Sequence, residues 1–257
     1  SGSDDLFAAE EIRFLTALLQ VIDNPRQDVP LAAVLLSPVF RFTVDELGAL
    51  RAEHRSCDLY DAVCAHPDMA FFHAGGNLFI SSEEGKSTLL KIPGIEIREG
   101  RSKLKSTYPG DIAYNAARVG NFLIHNFKYT DPCILSASED LIRVQVNQGY
   151  AKCSVCVVSD RAIITSDMGI AKKCDTFGID VLKTDDSDIL LKGVSHGFFG
   201  GASGKIAQDI LAVNGNIKTH RDSDKIEEFC DKYGVKIISL HNGAIYDIGT
   251  VFCVKEG

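Results

Sequence analysis

The chain has 257 residues, of which 45% are hydrophobic and 24% charged, with a formal net charge of −8 and a mean hydropathy of +0.03. This composition excludes the disordered and low-complexity classes, and the acidic balance argues against a nucleic-acid binder. The longest apolar stretch, 29–40, is cut by Pro30, Ser37 and Pro38, short of the roughly 18 residues that a membrane-spanning helix needs.

The first 65 residues hold five Arg and no Lys, whereas residues 66–257 hold six Arg and sixteen Lys. Glycine divides at the same place, two against twenty. So sharp a change in usage suggests two origins. In the first part Leu6, Ile12, Leu15, Leu18, Leu19 and Ile22 follow the spacing of a buried helix face. Asn24-Pro25 ends that helix. Asp28 can cap a second short helix with Pro30 in its first turn. Thr43-Val44-Asp45-Glu46 reads as a capping box opening a third helix to about Glu53. Leu15, Leu18, Leu19, Leu35 and Leu36 are expected to need an outside partner, either the rest of the chain or a second copy.

The rest reads as strand pairs about tight turns: 70–81 around Gly75-Gly76, 117–126 around Gly120-Asn121, 154–166 around Asp160-Arg161, and 210–219 around Asn214-Gly215. Asn-Gly is the strongest of these hairpin signals, because it supplies positive φ readily. Helices are expected at 168–177 and 223–233, the latter capped by Asp222 or Ser223. A final strand pair is expected at 235–240 and 248–254. Hairpin, helix and strand recurring every 40–55 residues suggest radial repetition, a propeller of mixed α/β units. An ordinary α+β sheet protein is the alternative.

Residues 6–51, with Asn24-Pro25-Arg26-Gln27-Asp28-Val29-Pro30-Leu31 at their centre, closely resemble a stretch of AddA-type helicase–nuclease subunits. From about Cys57 onward the chain resembles a bacterial family of unassigned activity with the pentein, or guanidino-group-modifying-enzyme, fold. The residues that carry this are Asp58-Leu59-Tyr60-Asp61-Ala62, His66-Pro67-Asp68-Met69, Val119-Gly120-Asn121-Phe122, Gln148-Gly149-Tyr150-Ala151-Lys152-Cys153, Gly197-Phe198-Phe199-Gly200-Gly201 and Tyr246-Asp247-Ile248-Gly249. The resemblances imply a helical segment over 1–55. Over 56–257 they imply a pentein-type α/β propeller of pseudo-fivefold ββαβ units, the first unit incomplete.

A pentein acting on guanidines needs carboxylates to hold the planar cation, a thiolate to attack its carbon and a His to move protons. By resemblance Cys253, in Gly249-Thr250-Val251-Phe252-Cys253, would be the nucleophile and Asp68 an acid that grips substrate. The alternatives are a small apolar cysteine and a turn cap. The second unit shows Val119-Gly120-Asn121 where an acid is usual, and the third shows Gly149-Tyr150-Ala151-Lys152 where a His is usual. Asn121 and Lys152 are therefore candidate substrate contacts. His220-Arg221-Asp222 is a His-x-Asp pair, one unit late, and otherwise a hairpin end with a helix cap. His125 and His196 are lesser candidates.

Neither Gly85-Lys86-Ser87 nor Gly204-Lys205 has the spacing of a phosphate loop, so ATP hydrolysis is not expected. Gly197 to Gly204 reads as a tight turn or an anion-friendly loop. Cys153-Ser154-Val155-Cys156 lies on an apparent strand whose pleat sends the two thiols to opposite faces, so no metal and no cofactor are expected. With eight scattered cysteines and no signal peptide, the protein is read as cytoplasmic with reduced thiols, and Ser1-Gly2-Ser3 as a cloning remnant. The function expected is binding or cysteine-based modification of a guanidino-type small molecule, by a hydrolase or transferase with an incomplete catalytic set. A non-catalytic binding module and a motorless helicase–nuclease fragment are the alternatives. The expected partners are a small ligand and a second copy through the N-terminal helices, not membrane or nucleic acid.

Overall fold

The computed structural model describes residues 10–24, 27–38, 42–53, 66–90, 92–105, 107–191 and 194–253. The chain divides into two compact parts, Ser1–Ala65 and His66–Gly257. The expected junction near Glu53–Asp58 and the Asp58–Ala62 phrase lie largely or wholly outside the described residues.

The first part is helical: α1 (Glu10–Asp23), α2 (Asp28–Leu35) and α3 (Val44–Glu53). Asp28 is the first residue of α2, and Gln27 occupies the cap position. Helix α3 begins right after Thr43, as the capping box requires; the Glu46 side chain is outside the described set. Leu31, Leu35 and Leu47 form the small core, against Val21, Ala32 and Phe42. Leu35 therefore finds its partners within the segment. Leu15 and Leu19 on α1 stay 50% and 66% exposed.

The second part is mixed α/β, built from a fourfold repeated pattern. Repeat one follows a short helix, α4 (Pro67–Ala70), and comprises β1 (Phe71–Gly75), β2 (Leu78–Ser81), α5 (Glu83–Leu89) and β3 (Glu96–Glu99). Repeat two has β4 (Ala117–Val119), β5 (Phe122–His125), α6 (Pro132–Ala137) and β6 (Ile142–Gln145). Repeat three follows α7 (Ala151–Ser154) with β7 (Cys156–Ser159), β8 (Ala162–Thr165), α8 (Met168–Asp175) and β9 (Asp180–Lys183). Repeat four has β10 (Ser203–Ala207), β11 (Ile210–Val213), α9 (Ser223–Lys232) and β12 (Lys236–Ser239). In each, an antiparallel hairpin is followed by a helical crossover that returns the third strand parallel to the second, since only a crossover brings a parallel strand alongside. Among the described residues the sheets are four separate three-stranded ones, where the resemblance implied five units. Repeat one is complete, contrary to the expectation that it would lack elements; its set begins after Pro67, downstream of the composition break.

The crossover helices start where local chemistry satisfies their first N–H groups. Ser82 accepts from Gly85 N at the start of α5, Asp131 from Cys133 N before Pro132 in α6, and Asp167 from Ile170 N in α8. Strands β5 and β8 are buried along their whole length and so read as continuous apolar runs. Leu123 faces a cluster with Phe72, Ile80, Tyr114 and Ile134 of repeats one and two. Phe122 and Ile124 face Val144, Ile163 and Ile170, between repeats two and three. Ala162 and Ile164 join Phe199, Leu211 and Ile226, between three and four. Phe71, Phe79 and Leu89 of repeat one gather around Phe252, near the far end of the chain.

Three expectations are corrected. Asn214-Gly215 is not a hairpin turn: β10 turns into β11 before Ile210, and Asn214 bonds the Tyr246 carbonyl at 2.9 Å. Gly215, at φ 135°, lets the chain pass the Ile245 backbone, where a Cβ would come within 2.5 Å of Ile245 Cα. Residues 248–253 form no strand; β12 pairs with β11 instead. Cys153 and Cys156 do not share a strand, because the chain changes from α7 to β7 between them. Among the described residues no helix is long and apolar enough to cross a membrane.

Candidate functional site

Two to five residues ahead of the first strand of each repeat, the chain turns toward one buried polar cluster. Repeat one contributes His66 and Asp68, repeat two Asn115, repeat three Lys152 and Cys153, repeat four Gly200 and Gly201, and the closing segment Asp247, Gly249 and Thr250. Asn115 Nδ2 donates to the Asp68 carbonyl at 3.0 Å, and its Oδ1 accepts from Lys152 N at 2.8 Å. Gly200 packs so closely on repeat three that a Cβ there would stand 2.5 Å from the Cys153 carbonyl oxygen. Thr250 N donates to Gly201 O at 2.6 Å, and Asp68 N to Gly249 O at 3.2 Å. The segments thus touch in sequence and the last touches the first.

Asp68 is the hub. It is fully buried, and its Oδ2 accepts the Cys153 thiol at 3.0 Å and the Thr250 hydroxyl at 2.9 Å. Its Oδ1 is buried with no hydrogen-bond partner among the described residues. Asn115 Nδ2 also approaches Cys153 Sγ and Met69 Sδ, each at 3.2 Å. Lys152 Nζ donates to Thr250 Oγ1 at 3.2 Å, and the ring of Phe252 lies 5.8 Å from that ammonium. Asp247 accepts from Phe198 N and Gly249 N, each at 2.9 Å, and His66 Nδ1 stands 3.7 Å from its Oδ1.

Thr250 has φ 78°, a conformation that a β-branched residue adopts only when its surroundings impose it, at roughly 1–3 kcal/mol. Such strain concentrates at functional sites.

Burial drives the Cys153 thiol well above its ordinary pKa, and the charge of Asp68 adds to this. The thiol is therefore a protonated donor rather than a nucleophile. Burial lowers the Lys152 pKa while Asp68 opposes the shift. Burial, followed by the repulsion of Asp68, raises that of Asp247, against the pull of His66. Two buried carboxylates, Asp68 and Asp247, thus meet one lysine side chain, Lys152.

Of the residues singled out in the sequence, Asp68 and Lys152 meet in this cluster. His220 and Asp222 lie elsewhere: His220 is buried, its Nδ1 accepts from Asp222 N at 3.0 Å, and its Nε2 is 3.7 Å from Asp186 Oδ1. Asp222 is a surface partner of Lys225. Asn121 is exposed at the β4–β5 turn. Cys253 Sγ lies 3.5 Å from the Ile206 carbonyl; from its segment it is Thr250 that enters the cluster. His125 is fully buried, with Nδ1 2.6 Å from Thr130 Oγ1 and Nε2 2.9 Å from the Gly149 carbonyl. His196 Nδ1 contacts the Gly197 carbonyl. The N–H groups of the Gly197 turn are taken by the chain's own carboxylates, Phe198 N by Asp247 and Phe199 N by Asp186. Residues to which the sequence alone assigned no role are His66, Asn115, Cys153, Asp247 and Thr250. For His66, Asn115 and Cys153 their place just ahead of a hairpin was the available signal.

Comparisons with known proteins find two kinds of relative. The A component of the ATP-dependent helicase/nuclease of Geobacillus kaustophilus is 49% identical over 63 residues, 24% of this chain and 5% of that protein. The same component from Limosilactobacillus reuteri is 47% identical over 60 residues, 23% of this chain and 4% of the relative. That of Thermoanaerobacter sp. is 53% identical over 57 residues, 22% and 5%. The chain thus spans about a twentieth of the length of these curated relatives. No solved structure matches it. Residues 48–252 match a family of unknown function, DUF6873. Since that match takes in the four repeats and the buried cluster at their convergence, the chain belongs to the DUF6873 family.

Proposed function

We propose that residues 66–253 close into a pentein-type ring and that its centre is a binding site for a small N–H-bearing cation of the guanidine or amidine class. The ring is supported by four repeats of one topology, by hydrophobic clusters shared between successive repeats, and by the packing of Phe252 on repeat one. The observation that carries the ligand class is Asp68 Oδ1, a buried carboxylate oxygen without a partner among the described residues, with a second buried carboxylate, Asp247, in the same cluster. A planar cation donating paired N–H groups satisfies both needs. Binding is favoured over cysteine chemistry because Cys153 is held as a neutral thiol between Asp68 and Asn115. The helicase–nuclease likeness covers only about a quarter of the chain.

Calorimetry with agmatine and acetamidine tests the reading. Saturable binding to the full chain, lost in Asp68→Asn with the fold intact by circular dichroism, is the expected result. Equal binding by the parent and Asp68→Asn, or no binding by either compound at millimolar concentration, overturns it. Release of ammonia or amine from either compound would replace it with the enzymatic reading.

A further inference from the structure

We propose that His66, Asp68 and Cys153 form a binding site for a thiophilic divalent cation, with Zn2+ as the ion whose chemistry fits. One ligand atom from each of the three lies within 4.8 Å of the other two. Imidazole nitrogen, carboxylate oxygen and cysteine sulfur are the donors zinc takes, at about 2.0–2.3 Å. Tetrahedral geometry at those lengths puts donor atoms roughly 3.3–3.8 Å apart, so no pair needs to close by more than about 1.5 Å. Cys153 Sγ and Asp68 Oδ2 are already 3.0 Å apart.

A second, independent observation points the same way. Asp68 is wholly buried and its Oδ1 has no partner among the described residues, an arrangement that is unfavourable unless something fills it. Asp247 Oδ1 stands 3.7 Å from His66 Nδ1, so with the ion on Nε2 a small closure would let this carboxylate orient the imidazole. Charge balances as well. The ion is matched by the Cys153 thiolate and Asp68, while Lys152 and Asp247 offset each other. On binding, the S–H bond of Cys153 breaks, a sulfur–metal bond forms, and one proton leaves to solvent. Three protein donors leave a fourth position open, as in zinc sites that hold water or substrate.

The metal site goes beyond the guanidine reading and shares Asp68 with it; Cys153 separates the two, because only the metal needs the sulfur. Co2+ and Zn2+ are titrated into the full chain at neutral pH, with calorimetry and the near-ultraviolet thiolate-to-Co2+ charge-transfer band as readouts. One ion per chain, the band, and about one proton released per ion are expected. Cys153→Ser should abolish the band. The half-exposed His66→Gln, which carries less risk to the fold, should weaken affinity by about tenfold or more, at or beyond the lower end of what loss of even an outer partner costs. Absence of the band, or a band that persists undiminished in Cys153→Ser, overturns the site. Failure of agmatine to bind while the band is present would overturn only the organic-ligand reading.

Discussion

His125, at the end of β5, ties the stability of the second part to pH. The ring is fully buried, and both nitrogens are engaged, one by Thr130 Oγ1 at 2.6 Å and one by the Gly149 carbonyl at 2.9 Å. Burial lowers its pKa from 6.5 to about 4, against the smaller opposing effect of the Gly149 carbonyl. The unfolded chain therefore takes up a proton between about pH 6.5 and 4 that the folded chain refuses, and stability falls with pH across that window. At 1.36 kcal/mol per pH unit, the loss from this side chain on going from pH 7 to pH 4 is about 3 kcal/mol. The perturbation is His125→Gln, which leaves no group to titrate there. Urea unfolding of parent and variant is followed at half-unit steps from pH 7.5 to 4, and the difference between the two isolates His125 from the carboxylates. The variant is less stable at pH 7, and the gap between the curves narrows by about 3 kcal/mol as the pH falls. A gap that stays constant across the window refutes the argument. So would a folded-state imidazole titration near 6.5 seen by NMR.

The cluster makes its own predictions. Thr250→Val removes the hydroxyl that meets Asp68 Oδ2 at 2.9 Å and takes the Lys152 ammonium, and should cost about 1–3 kcal/mol of unfolding free energy; Thr250→Ser, which keeps the oxygen, should lose under half as much in the same urea titration. Gly204→Ala should destabilise by at least about 1–3 kcal/mol, since its Cβ would sit 1.8 Å from the Val251 carbonyl oxygen; a variant melting with the parent would mean that the 246–253 segment yields easily. Ile163→Ala, emptying a fully buried position between repeats two and three, should cost about 2–5 kcal/mol, read from the shift of the urea midpoint.

The sequence exposed the repeated plan more clearly than the site. Glycine-centred turns at 75–76 and 120–121 do join hairpins, and Asp160-Arg161 joins another, because a short apolar run on each side leaves few alternatives. The 214–215 signal misled because Asn-Gly also serves where a backbone must pass close to another chain segment. Helices α5 and α6 are short, and their cap residues, Ser82 and Asp131, carry more of the signal than any apolar stripe. Asp68 and Lys152 could be picked out through family likeness. Asn115 and Thr250 could not, since an amide and a hydroxyl mean nothing until residues 182 apart, as Thr250 and Asp68 are, come within hydrogen-bond reach. Cys253 drew attention by its spacing from Gly249, whereas Cys153 sits in the cluster on α7, which ends one residue short of β7.

The meeting of Gly249 with His66, where a Cβ on the glycine would lie 2.3 Å from the histidine Cα, has a topological consequence. The points at which the polypeptide enters and leaves this domain are neighbours. A short linker could join them and new termini could be opened at the exposed Asp160-Arg161 turn, giving a circular permutant with every internal strand pairing preserved. By the same geometry the domain could be spliced into a surface loop of another protein without forcing that loop apart.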